Sequence, residues 1–227
     1  GSFHDPTVWD LGYVPGAGDT AKPASYVITI SADVTCALLD GTGQNGYFQC
    51  STPGVTITAD VRAGNVPLLR FSHSSGVCTV NGTVTGGSKS SAFGAQNNSS
   101  VTINITTAMG GSGNNAWGAH NNSSGTINIT TAIGGSGGSA YGAYNNTSGT
   151  VNITTVTGGS GSTSHGVNNA SGGTVNVATA IGGSGDRSYG AHNTGGAGKM
   201  YVERAVGNDY GYGGTMSNSV PGVYGAN

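Results

Sequence analysis

Charge is what this chain has least of. Its 227 residues include seven Lys plus Arg and nine Asp plus Glu, for a net charge of −2. Between Ser90 and Gly185 there is no Asp, Glu, Lys or Arg at all. Without a basic stripe the chain is a poor match for nucleic acid. Without an acid in its centre it cannot form there the carboxylate pair that glycoside hydrolysis uses. Long apolar runs are missing too, and none approaches the roughly 20 residues of a membrane span. Cysteine is scarce and odd in number: Cys36, Cys50 and Cys78 allow at most one intrachain disulfide, its pairing open, and no C-x-x-C spacing marks a metal site. Neither a cofactor nor a metal is expected. No leader peptide is visible, but the opening Gly1-Ser2 reads as an expression-vector remnant, so this says nothing about the native compartment.

Glycine is abundant, at 44 residues, well above an ordinary usage of about 7%. There is no G-X-Y period, which excludes collagen. Regular alternation of Ile and Val argues for a folded core rather than disorder. The glycines belong to a phrase said four times between Asn97 and His192: NNSSVTINITTAMGGSGNNAWGAH, NNSSGTINITTAIGGSGGSAYGAY, NNTSGTVNITTVTGGSGSTSHGVN and NASGGTVNVATAIGGSGDRSYGAH. The period is 24 residues without a gap, and the first two copies agree at 18 of 24 positions. Such self-similarity predicts an all-β fold, a single-stranded parallel β-solenoid with about 24 residues per coil, capped at both ends.

Each repeat reads as two strands. The first, TINIT, falls at 102–106, 126–130, 150–154 and, as TVNVA, 174–178. Period-2 alternation sends Ile103 and Ile105, and their equivalents, to the core. The outer face then carries Thr102, Asn104 and Thr106; Thr126, Asn128 and Thr130; Thr150, Asn152 and Thr154; Thr174, Asn176 and Ala178. GGSG turns the chain at 110–113 and its equivalents, with glycine expected to supply positive φ. The second strand is read as 116–121. Its inward face starts at Trp117, Tyr141, His165 and Tyr189, continues through Ala119, Ala143, Val167 and Ala191, and ends on an internal ladder of Asn121, Asn145, Asn169 and Asn193. Gln96, His120, Tyr144, Asn168 and His192 point outward.

The chain divides into an N-terminal cap (1–25), degenerate coils (26–96), regular coils (97–198) and degenerate coils or a C-terminal cap (199–227). Trp9, Tyr13 and Val14 are read as the apolar part of the first cap, because an open first coil exposes core and backbone. Strands are expected at 26–30, 33–39, 55–61, 67–71 and 77–84. Val77 and Gly86-Gly87 lie 24 residues before Val101 and Gly110-Gly111, so the period starts before the visible repeats. At the far end NDYGYGG (208–214) is a worn repeat, and Pro221-Gly222 suggests the end of regular pairing. Sequons recur at Asn104, Asn128 and Asn152. Glycans there would block stacking, so a bacterial or phage origin is expected.

Two phrases carry a resemblance. VWDLGYVPGAGDT resembles openings that precede β-helical regions in bacterial and phage surface proteins. The glycine-rich repeats with YGAYN-like phrases resemble adhesive β-solenoids of bacterial surface proteins and phage tail fibres. This implies a non-enzymatic extracellular module, on a cell surface or virion, that binds a surface glycan or receptor or serves as a stiff spacer. A homotrimer is compatible with such a fibre. The copies differ most at Gln96, His120, Tyr144, Asn168 and His192 and in neighbouring loop pairs such as Asn114-Asn115 and Asp186-Arg187, as repeat proteins do on a binding face. Neutral drift at exposed positions explains the same pattern.

Two other functions stay open. The Thr ladders (Thr102, Thr106, Thr126, Thr130, Thr150, Thr154 and Thr174) resemble the ice-binding faces of β-solenoid antifreeze proteins, since Thr offers a methyl and a hydroxyl on a stiff χ1. Thr and Asn are also ordinary occupants of outward strand positions. A polysaccharide lyase or hydrolase of the β-helix type would have to use Asp33, Asp40 or Asp60 with Arg62 or Arg70. The plainer reading makes these turn and strand-edge groups. His73 stands beside Ser72, Ser74 and Ser75 without a nucleophile context. His120 and His192 lie three coils, about 14 Å, apart and cannot share one ion.

Overall fold

The computed structural model describes residues 1–185, 187–194, 197–206 and the strand at 223–225. Asp186, the NDYGYGG phrase at 208–214 and Pro221-Gly222 lie outside the described residues. The chain is a parallel β-solenoid of about seven stacked coils, made of a ten-stranded and an eight-stranded sheet. Each regular coil contributes one long strand to the first sheet and one short strand to the second. The long strands are Thr102–Met109, Thr126–Ile133, Thr150–Thr157 and Thr174–Ile181. The short ones are Ala95–Asn97, Ala119–Asn121, Ala143–Asn145, Val167–Asn169 and Ala191–Asn193. Identical repeat positions pair: Ile127 with Ile103 and Val151, Asn121 with Asn97 and Asn145.

The long strand runs three residues past the expected TINIT. Inward alternation holds through Ile105, then Thr106 and Thr107 both turn away and Ala108 returns to the core. Two successive outward residues bend the strand, so one element walls two sides of the coil. Ile103, Ile105 and Ala108 with their equivalents fill a thin core, each large aliphatic side chain there contributing about 1.5–3 kcal/mol by burial.

The second strand is shorter than 116–121, and the reason lies in glycine. A Cβ on Gly118 would overlap the backbone of Met109 and Ala108 across the coil and stand 2.7 Å from the carbonyl oxygen of Gly142. The two walls therefore pinch together there, backbone on backbone, and the chain from Gly111 to Trp117 loops beyond the pinch. The GGSG glycines serve the same end. None of Gly110, Gly111 and Gly113 has the positive φ expected of it, whereas a Cβ on Gly111 would overlap the carbonyl oxygen of Gly87 one coil away. Close stacking of loops selects glycine here.

The front coils use strands Val27–Ile30, Val34–Asp40, Tyr47–Cys50, Thr56–Arg62, Leu69–Phe71 and Val77–Thr85. Val77 pairs with Thr102 rather than Val101. A bulge between Val80 and Thr83 then restores the 24-residue offset, so that Val84 meets Ala108. Phe3 plugs the open end: it is 1% exposed, packs edge-on to Trp9 at 5.1 Å and lies 6.1 Å from Phe48. Trp9 Nε1 donates to the Phe3 carbonyl at 2.9 Å, and Val8 and Val14 pack against the same core. Tyr13, expected in this plug, is 47% exposed and turns its hydroxyl to Asp19. At the other end Lys199–Val206 and Val223–Gly225 continue the long-strand sheet.

Candidate functional site

Two surfaces were candidates from the sequence, and the structure treats them differently. The short-strand row is mostly covered. The loops beyond the pinch carry Phe93, Trp117, Tyr141, His165 and Tyr189 outside the main core, where they stack as a ladder. Successive ring centroids are 4.6, 6.1, 5.2 and 5.2 Å apart, and the first three pairs are within 6° of parallel. Trp117, Tyr141, His165 and Tyr189 are expected from the sequence to start the inward face or stand at its rim; Phe93, Trp117 and Tyr141 instead form a second apolar cluster, separate from the main core. Trp117 is anchored by donating to the Ser139 carbonyl at 2.8 Å.

This ladder lies over the row Gln96, His120, Tyr144, Asn168 and His192. His120 is 5% and Asn168 6% exposed; Gln96, Tyr144 and His192 are half-buried. His120 stands edge-on to Phe93 at 4.6 Å and Trp117 at 4.8 Å. Burial pushes its imidazole down to about 4. His165 is pushed down to about 3, by burial first and by His192 second, and burial lowers His192 as well. His192 lies 4.2 Å from His165. The row points away from the main core, as expected, but the loops leave it little open surface. Sequence reasoning missed this because alternation says which side of a strand a residue takes, not what a neighbouring loop lays over it.

The long-strand face is open. Between two side-chain rows runs a trough of about 710 Å³. One wall is Asn104, Asn128, Asn152 and Asn176; the other is Thr106, Thr130, Thr154 and Ala178, with Ile105, Ile129, Ile153 and Val177 between them. Thr79 and Asn81 close one end, Tyr201 and Glu203 the other. It spans six coils, about 24 Å at the usual strand spacing. The asparagines bond along the stack: Asn128 donates to Asn104 at 2.8 Å, Asn152 to Asn128 at 2.8 Å and Asn176 to Asn152 at 2.7 Å. Each amide nitrogen thereby spends one N–H and keeps the other. Thr106, Thr130 and Thr154 are exposed. Thr102, Thr126, Thr150 and Thr174 are half-buried and lie outside the trough, nearer the corner.

The acids and arginine considered for catalysis have identifiable contacts. Asp33 Oδ1 accepts from the Thr56 N–H and Asp60 Oδ1 from the Thr83 N–H, both at 2.8 Å and both from the next coil. Asp40 pairs with Lys22 at 3.4 Å and accepts from the Thr42 N–H. Arg70 lies over the Tyr47 ring at 3.8 Å. Among the described residues one further cluster of ligand-type side chains appears, Cys50, His73 and Cys78, with donor atoms all within 4.8 Å of one another. No linear spacing announced it.

No protein-family model matches the chain, and no similarity to a curated protein or a solved structure was found.

Proposed function

We propose that this chain is a non-enzymatic extracellular binding module of the adhesin or fibre type, and that it recognises a neutral surface glycan along the asparagine–threonine trough. The observation that carries the reading is the trough itself. Its lining residues from Asn104 to Ala178 offer amides and hydroxyls at a constant coil spacing and no charge. An extended neutral polymer is the partner that such a repeating, uncharged set of donors and acceptors suits. Tyr201, 39% exposed at one end, adds a ring on which a sugar can stack. The rigid ladder beneath means that little order has to be imposed on binding.

A second reading rests on one observation. The exposed hydroxyls of Thr106, Thr130 and Thr154 repeat in register on a stiff scaffold, which also suits ice. Ala178 interrupts that row, and its companion row is Asn rather than Thr. One preparation of folded protein separates the two readings, taken to a glycan array and to a thermal-hysteresis measurement. Binding to neutral glycans without hysteresis supports the first. Hysteresis without glycan binding replaces it with the second. Neither signal leaves the chain as a spacer and ends both.

A further inference from the structure

The corner between short and long strands is stapled in two different ways along the solenoid. In the regular coils the staple is an asparagine whose amide reaches the carbonyl four residues on, as Asn97 reaches Val101 at 3.1 Å. Going toward the N-terminus, Asn97 pairs with Phe71 and Phe71 with Cys50. The asparagine is therefore gone from that corner in the front coils, and Cys50, His73 and Cys78 gather there, all buried.

Their donor atoms have a particular spacing. Cys50 Sγ lies 3.6 Å from Cys78 Sγ, and Cys78 Sγ lies 3.4 Å from His73 Nε2. The Thr52 carbonyl oxygen is 3.6 Å from each sulfur. In a tetrahedral zinc site with Zn–S near 2.3 Å and Zn–N or Zn–O near 2.0–2.1 Å, ligand-to-ligand edges are about 3.7 Å for S···S and about 3.5 Å for S···N or S···O. Four of the edges of such a tetrahedron are already drawn. The other ring nitrogen, His73 Nδ1, faces the Cys50 carbonyl at 3.5 Å. That is the outer contact that turns the Nε2 lone pair toward a metal.

We propose that Cys50, His73 and Cys78, with the Thr52 carbonyl oxygen, bind a zinc ion that staples the front coils at the corner where the asparagine ladder stops. Two thiolates and an imidazole are soft and borderline donors, which select zinc over calcium or magnesium. This inference departs from the expectation of no metal. Linear motifs cannot show the site, because one coil separates Cys50 from His73 and a corner separates His73 from Cys78.

Reduced full-length protein stripped with a chelator tests it. Cobalt titration should give the thiolate charge-transfer and tetrahedral ligand-field bands at one ion per chain. One equivalent of zinc should abolish them and raise the unfolding midpoint. Cys78→Ser and His73→Gln should each weaken zinc binding by roughly 100-fold or more. Cys36→Ser should not, since that buried thiol lies outside the cluster. Two results overturn the proposal without relying on any variant folding. One is a reduced, folded wild-type chain that takes up no cobalt or zinc. The other is peptide mapping of freshly made protein that finds Cys50 and Cys78 joined as a disulfide.

Discussion

Asn121 donates its side-chain amide to the carboxamide oxygen of Asn145 at 3.2 Å, and to the Gly125 carbonyl at 2.9 Å, with no solvent exposure. Asn145 repeats the pattern toward Asn169 and Gly149, at 3.0 and 2.9 Å. The bond from Asn169 to Asn193 is missing. There the corner gains a residue, with Asn193 reaching Gly198 and Thr174 pairing with Lys199. The ladder thus ties coil to coil and also closes each coil's own corner.

Asn145→Ala should therefore cost about 3 kcal/mol, because it leaves buried partners above and below without their bonds. Asn146→Ala, one residue along and exposed, should cost under about 0.5 kcal/mol. Urea unfolding followed by far-UV circular dichroism measures both. Similar losses for the two variants would mean that the internal ladder contributes little.

The pinch makes a second contrast. Gly118→Ala drives a methyl into the backbone of Met109, and backbone cannot step aside as a side chain can. The expected loss is about 3 kcal/mol or more. Gly172→Ala meets only the Ala197 methyl at 3.9 Å and has no positive φ. It should be neutral or stabilise by up to about 1 kcal/mol through the unfolded chain. Thermal unfolding of the two variants checks the pair.

These two features mark where the sequence was readable and where it was not. The 24-residue period, the inward Ile and Val, and the asparagine ladder follow from alternation and stacking, which are local rules. The pinch at Gly118 follows from a contact between walls that are far apart in the repeat. Trp117 therefore left the core, the short strand ended early, and His120 was covered. The zinc-type cluster was hidden for a related reason, since it is assembled across a corner between degenerate coils. The trough was half-legible: alternation puts the Thr102, Asn104 and Thr106 rows on one outer face, but it does not say which two of those rows enclose a channel.

Acid should destabilise the regular coils before the carboxylates titrate. His120 and His165 are held at about 4 and about 3 in the folded chain, against about 6.5 when unfolded. Between those values the unfolded state binds protons that the folded state refuses. Stability is therefore full above pH 6.5 and falls as pH drops through 6 and 5. The urea midpoint should decrease over that window, and His120→Phe should flatten the slope. A midpoint constant from pH 7 to 4.5 would contradict the burial of these rings.

The trough reading turns on which threonines matter. Thr130 and Thr154 are exposed on the trough wall, whereas Thr126 and Thr150 belong to the outer row beside the corner. A tyrosine at 130 or 154 fills the channel. One at 126 or 150 leaves it clear but spoils a flat face. Under glycan recognition, Thr130→Tyr should weaken binding by about tenfold or more, a loss of about 1.4 kcal/mol, and Thr126→Tyr should change it little. Under ice binding both substitutions should suppress thermal hysteresis, since a lattice needs the whole face. His120→Ala and Tyr144→Ala serve as the opposite control, because those side chains sit beside the aromatic ladder. They should lower stability while leaving the affinity of the folded protein unchanged. Loss of affinity on Tyr144→Ala at full folding, with Thr130→Tyr silent, would move recognition to the short-strand side and leave the trough as a groove without a ligand.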